Sequence, residues 1–416
     1  MIGAGNRGTA YAELASAAPN HATIAGVAEP REFFRRRLAD RHGIPAARVF
    51  ADWREAAAPE RFADVAVIAT NDRFHAEPAI AFARKGYHVL LEKPMAPNEP
   101  DCRRIVAAAK ESGVILAVCH VLRYRDDTRA AKRILEEGRI GDVLCVQHLE
   151  SVGHWHQAHS FVRGNTRNEK ESSPMLLAKS CHDIDLIRHL AGVKCLRVAS
   201  YGALTHFRKE NQPAGAASRC LDCGVESICP YSAKRLYLGM IERGAREWPV
   251  DMLTPDLTVE GVTEALRSGP YGRCVYECDN DVVDHQVVAM EFEKEITATF
   301  TMTVGRSERK TRVFGTHGQL EMGGGAAVTY DWLTGGKHVT DTRVDSETLV
   351  SGHGGADYRL IENFVAAIAN NDPGRILTGP EETLETHRMV FAAERARKEK
   401  RMVEMREMEQ ACSAQT

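Results

Sequence analysis

Along the first 120 residues, short apolar runs alternate with stretches whose apolar residues recur at helical spacing. Residues 22–28, 65–70, 88–91 and 114–119 read as strands, and residues 33–42 and 101–112 as helices ending at Gly43 and Gly113. That rhythm is the strand-helix-strand alternation of a parallel sheet. The pattern changes from about Arg123: a helix over 127–137 closes at Gly138, and a strand over 142–150 follows. Residues 151–174 are polar and lack periodicity, which predicts a loop or extended arm. A helix over 175–190 comes next, then runs at 283–292, 296–304, 312–315 and 319–322 that predict a mostly antiparallel sheet. Residues 323–327 read as a loop, residues 358–370 and 381–397 as amphipathic helices, and the last dozen residues as a frayed end.

At 416 residues the chain exceeds what one ordinary core organises, so two domains are expected. A hydrophobic content of 44% and a formal net charge of -3 describe a globular protein and give no basic surface for nucleic acid. No apolar run reaches the roughly 18 to 20 residues that span a bilayer, and no leader precedes the first motif, so no membrane partner and a cytoplasmic setting are expected. Met1 and Ile2 run straight into Gly3 and leave little room for a preceding strand, as a shortened start would. The 11 cysteines are scattered and do not suggest a disulfide framework. Cys220, Cys223 and Cys229 stand apart: three thiolates in a short turn suit a structural zinc, with Cys195, Cys274, Cys278 or His206 as the fourth ligand.

Gly3, Gly5 and Gly8 have the spacing of a dinucleotide-binding turn at the start of a helix. In such a turn the first glycine bends the chain, the second admits the pyrophosphate, and the third lets helix and strand pack. The N–H groups of Asn6 and Arg7 would then face the phosphates. Glu29 ends the second strand, where a carboxylate can accept from the adenosine ribose, which favours NAD. Arg31 and residues 35–37 offer guanidinium groups that would leave NADP open. Thr70, Asn71 and His75 follow the third strand, and Glu92 and Lys93 end the fourth, all at the edge where ligands sit.

The stretches IGAGNRG, VIATNDRFH, HVLLEKPMA and RYRDDTRAAKRILEEGRIGDV, followed in order by CHDIDLIRHLAG and VFGTHGQLEM, resemble the glucose-fructose oxidoreductase and inositol dehydrogenase (Gfo/Idh/MocA) family. The resemblance implies an α/β protein: a doubly wound Rossmann domain over 1–121, then an α/β domain over 122–416 whose open, mostly antiparallel sheet mediates a homodimer or homotetramer. It also implies that Lys93 lies between nicotinamide and substrate, that His182 is catalytic, and that an Asp common in relatives is replaced here by Ala178. Lys179 and His182 can share a helix face, and Lys179 would suit an anionic sugar.

Oxidising a secondary alcohol needs a base for the hydroxyl proton while the cofactor takes the hydride, which Lys93 and His182 can serve. Arg123, His156, His159, Arg163, Lys179 and His182 are the expected substrate contacts. The expected activity is NAD(P)-dependent hydride transfer from a sugar, inositol or sugar acid. An NAD-dependent glycoside hydrolase working by transient oxidation and a non-catalytic dinucleotide-binding regulator are the alternatives.

Overall fold

The computed structural model describes residues 1–17, 22–342 and 352–413. In the first part of the chain, Val49–Phe50, Val27–Ala28, the single residue Ile2, Val65–Ile68, His88–Leu91 and Leu116–Val118 lie side by side and parallel. In chain order these are the third, second, first, fourth, fifth and sixth extended segments, so the direction of winding switches beside Ile2, where α/β sheets bind ligands. Ile2 donates to Val67 O at 2.8 Å and accepts from Ala69 N at 2.8 Å, and Gly3 donates to Ala28 O at 2.8 Å. The strand expected over 22–28 forms a ladder only at Val27–Ala28, because its neighbours offer only that much backbone to pair with.

The helices Ala76–Arg84 and Glu99–Glu111 bury Ile80, Phe82, Ile105 and Ala109 against this sheet. Asn98 starts the second of them by accepting the Asp101 N–H at 2.9 Å, as a helix cap does.

The second part is a sheet of nine strands. Its spatial order is Lys337–Asp341, Ala326–Asp331, Gly318–Gly323, Glu308–Gly315, Val143–Gly153, Thr297–Gly305, His285–Phe292, Cys195–Ala203 and Val403–Glu404. All neighbours are antiparallel except Val143–Gly153 with Thr297–Gly305. Burial alternates along His285–Phe292, so one face packs and the other looks outward. The packed face sets Val288, Phe292, Phe300 and Leu320 under the helices Met175–Ala191 and Pro380–Glu399.

Several expectations need correction. Residues 151–174 do not form a plain loop: the strand runs to Gly153, then His154–His156 leads into a π-helical turn at Gln157–Arg163. Its polar residues hid that order because Gln157, His159 and Arg163 are buried against another segment. Residues 323–327 are the turn and start of a hairpin, and Met405–Ser413 is a helix whose Met405 and Met408 join the core. The strands at 195–203, 326–331, 337–341 and 403–404 were not anticipated. Between the paired strands Cys195–Ala203 and His285–Phe292 lies an insertion, residues 204–284, with its own small core of Tyr237, Ile241, Val250, Val262 and Leu266.

Late in the chain, the helix Ala356–Ala369 returns to the first sheet and places Leu360 and Phe364 against Tyr11, Leu14 and Leu90.

Arg123, expected at the substrate, is a structural tie. It is 2% exposed and grips Asp185 through two hydrogen bonds of 2.7 Å, and it also binds Leu377 O at 2.7 Å and Glu382. Arg123→Ala would strand Asp185 without its partner, so a loss of about 3–5 kcal/mol in denaturant unfolding is expected, with cofactor affinity unchanged.

Candidate active site

The strand ends of the parallel sheet and the N-terminus of the helix Asn6–Ala17 open on a cleft of about 1100 Å³, whose far wall carries His156, Ala178, Lys179 and His182. Gly3 has φ +94°, and a Cβ there would stand 2.5 Å from Ala69 O; at Gly8 it would stand 2.1 Å from Gly3 O. These two glycines let helix and strand touch. A Cβ at Gly5 would have only Arg31 Nη2 near it, at 3.5 Å, and would project into the cleft. The floor is therefore bare backbone beside a helix N-terminus with free N–H groups, which fits a pyrophosphate. Gly3, Gly5, Asn6, Arg7, Glu29, Thr70, Asn71, Glu92 and Lys93 all line it. Gly8 serves by packing beneath.

Glu29 Oε2 accepts from Ala4 N at 2.9 Å, and Oε1 accepts from Arg31 Nε at 2.7 Å. Burial pushes its pKa up, but the Arg31 and backbone hydrogen bonds outweigh this and hold it below the usual range. The carboxylate that would meet the ribose is thus ionised and already braced by a cation. Glu92 is buried and accepts from Arg7 Nε at 2.7 Å, Tyr11 Oη at 2.6 Å and Lys93 N at 2.8 Å. Arg7 also reaches Asp357 Oδ1 at 2.6 Å. The charges of Arg7 and Glu92 are therefore spent mainly on each other and on Asp357, although both residues border the cleft.

His75 does not line the cleft. It is fully buried, with Nδ1 2.8 Å from Pro94 O and Nε2 3.0 Å from Thr70 O, and it joins two strand ends.

Lys93 Nζ donates to Ala178 O at 2.7 Å. The helix backbone thus holds the amine at the position where relatives were expected to carry Asp. His182 is buried in the same cleft, and burial together with the Lys93 charge holds its imidazole well below its ordinary pKa, so it is neutral near pH 7. Lys179 Nζ pairs with Glu150 Oε1 at 2.9 Å; burial and Arg309 lower its pKa while Glu150 opposes them. Because Glu150 matches that charge, Lys179 gives no special reason for an anionic substrate. His156 lines the cleft, whereas His159 and Arg163 do not. His159 Nδ1 meets Tyr237 Oη at 2.8 Å, and Arg163 donates to Arg273 O at 2.8 Å and Tyr231 O at 2.9 Å. Both are buried anchors for the insertion. Their polarity signalled a partner, but the partner is protein.

Sequence reasoning passed over Ser160, Thr166, Trp248 and Met252, which also line the cleft. The first two lie in or beside the turn that follows His156; the last two belong to the insertion, for which local periodicity gave no signal.

Cys220, Cys223, Cys229 and Cys274 border one small cavity of about 20 Å³. The zinc expectation finds no support: among the described residues no group of three or more His, Cys, Asp or Glu is placed to hold a metal. Cys220 Sγ instead accepts from Arg163 Nη2 at 3.5 Å, and Cys278 Sγ donates to Cys274 O at 3.3 Å.

Comparison with known proteins agrees with this geometry. Residues 1–120 match the model of an oxidoreductase family with an NAD-binding Rossmann fold, and residues 132–405 match that family's C-terminal α/β domain. The chain belongs to the Gfo/Idh/MocA oxidoreductase family. Inositol 2-dehydrogenase 2 of Saccharopolyspora erythraea is 31% identical over 33% of this chain and 38% of its own length. The 2,7-anhydro-N-acetylneuraminate hydratase of Escherichia coli is 31% identical over 33% of this chain and 36% of its own. The chain spans between 27% and 60% of the length of curated relatives it matches. A levoglucosan dehydrogenase solved with NADH and levoglucosan has the same fold at TM-score 0.71 and 17% identity, over 97% of this chain and 98% of that one. No helix among the described residues is long and apolar enough to cross a membrane.

Two outcomes follow. Gly5→Val should abolish NAD binding in calorimetry while the protein still folds, since the side chain would fill the cleft floor; Gly5→Val protein with native affinity would reduce the triplet to a turn. Burial, helped by Arg163, lowers His159 to about 3, and burial with His120 lowers His387 to about 3. Unfolding lets each take up a proton below its ordinary pKa of 6.5, so stability falls as pH drops through 6.5. A loss of ~2 kcal/mol per histidine between pH 7 and pH 5 is expected in urea titrations, and one that His387→Asn leaves unchanged would exclude that residue.

Proposed function

We propose that this protein oxidises a secondary hydroxyl of a sugar, inositol or sugar acid, with NAD as hydride acceptor. The observation that carries the reading is the placement of the Lys93 amine and a neutral His182 imidazole in one cleft with a bare glycine floor. The family match and the sugar and cyclitol dehydrogenases among the similar proteins support it.

Gly5, Asn6 and Arg7 would hold the pyrophosphate, and Glu29 the adenosine ribose. A dinucleotide held there would supply the hydride acceptor for oxidation of a carbinol. Lys93 Nζ, fixed by Ala178 O, turns its remaining N–H groups toward the substrate oxygen and stabilises the negative charge that grows there. His182, uncharged, takes the hydroxyl proton on a ring nitrogen. His156, Asn165 and Thr166 bind neighbouring hydroxyls. NAD in preference to NADP follows from the ionised Glu29, whose charge opposes a further phosphate.

The cysteines from Cys102 to Cys278 are all free, which supports a reducing, cytoplasmic setting. Tyr201 and Val287 pair on the outward face of the large sheet and stay exposed, which supports a homodimer or homotetramer built on that face.

Lys93→Met keeps the length of the side chain and removes its charge. The variant should fold and bind NAD as before, and lose about two to four orders of magnitude in turnover. Wild-type turnover in a folded variant would remove Lys93 from the chemistry. The same assay separates the redox-neutral alternative: NADH accumulates in net oxidation, whereas a glycosidase or hydratase leaves it constant.

A further inference from the structure

The insertion 204–284 borders the cleft through Trp248 and Met252. Between them Val250 is fully buried in the insertion's own core, so the turn that seats Val250 leaves Trp248 and Met252, two positions to either side, at the cleft. The Trp248 ring is wedged among three others: His156 at 5.0 Å and His159 at 5.3 Å, both close to perpendicular, and Trp155 at 5.3 Å. His159 is itself stacked on Tyr271 at 4.8 Å. The indole is thus held in place, yet it is only half-buried and forms part of the cleft lining. Its neighbour His156 lines the same cleft as Lys93 and His182, so Trp248 borders the space that those groups face.

We propose that Trp248 is a specificity-determining platform on which the C–H face of a ring-shaped polyol, a pyranose or a cyclitol, is laid for oxidation. The inference rests on the reading of the cleft as a polyol oxidation site and adds the shape of the substrate. A ring polyol is amphipathic: its hydroxyls form a rim, and its C–H bonds form a face that the negative π-cloud of an indole attracts. Ser160, Asn165, Thr166 and Lys179 supply the polar partners for the rim. An acyclic polyol presents no fixed face and loses chain entropy to form one. Trp248 touches no reacting atom, so it should act on binding rather than on the chemical step.

The test compares wild-type, Trp248→Ala and Trp248→Phe proteins with glucose, myo-inositol and acyclic glucitol. Calorimetry on Lys93→Met protein loaded with NADH reads binding without turnover, and steady-state kinetics on the Lys93 protein read the reaction. For the ring polyols, Trp248→Ala should weaken binding and raise KM about tenfold with kcat within about threefold; Trp248→Phe should recover most of the loss, and NADH affinity should not move. Ring binding unchanged in Trp248→Ala, glucitol bound as well as the rings, or a fall in NADH affinity as the main effect would overturn the proposal. If no polyol is oxidised yet ring binding depends on Trp248, the oxidation reading fails and the platform stands. If no ring polyol binds at all, the platform falls as well.

Discussion

The buried carboxylate of Glu92 is the constraint on which the site depends. An ionised carboxylate removed from water is tolerable only with partners on each of its faces. Here they come from the helix Asn6–Ala17, through Arg7 and Tyr11, and from the backbone N–H of Lys93. Burial alone would raise the carboxyl pKa, and Arg7, with Lys93 and the Tyr11 hydrogen bond, brings it below its ordinary value. Arg7 needs Asp357, from the far end of the chain, to finish its own hydrogen bonding. Three segments must therefore arrive together before the strand end is fixed. Once it is, the Lys93 side chain has a set origin and its Nζ meets Ala178 O across the cleft.

The far wall is charged but balanced. Lys179 faces Glu150, Arg309 bridges Glu150 and Asp183, and Asp183 also meets His148 Nε2 at 3.0 Å. Beside these matched charges stands the imidazole of His182, which burial keeps neutral and which can therefore accept a proton. A wall of this kind would orient hydroxyls by hydrogen bonds and adds no unmatched cation for an anionic substrate, in keeping with polyol oxidation by a bound dinucleotide.

The insertion bears on the same cleft from outside the two-domain core. Arg163 and His159, on the π-helical turn Gln157–Arg163, are its anchors, and they hold it by hydrogen bonds to Arg273 O, Tyr231 O and Tyr237 Oη. That buried polar seam explains why residues 151–174 carry so many polar groups without being a solvated loop. In turn it fixes the aromatic ring set around Trp248.

What the sequence determined by itself is local: the alternation that makes a parallel sheet, the glycine triplet at a helix start, and the strand-end positions of Glu29, Glu92 and Lys93. Each depends on residues near one another in the chain, where side-chain period, backbone freedom and strand polarity act directly. Tertiary structure decided which polar residues face a ligand and which face protein. Arg123 and Arg163 looked as suitable for a substrate as His156, but Arg123 is closed by Asp185 and Leu377, and Arg163 by Tyr231 and Arg273. A guanidinium has the same donors whoever accepts from them, so its identity cannot name its partner. That choice is made by burial, when distant segments pack and each polar group must find an acceptor before water is excluded.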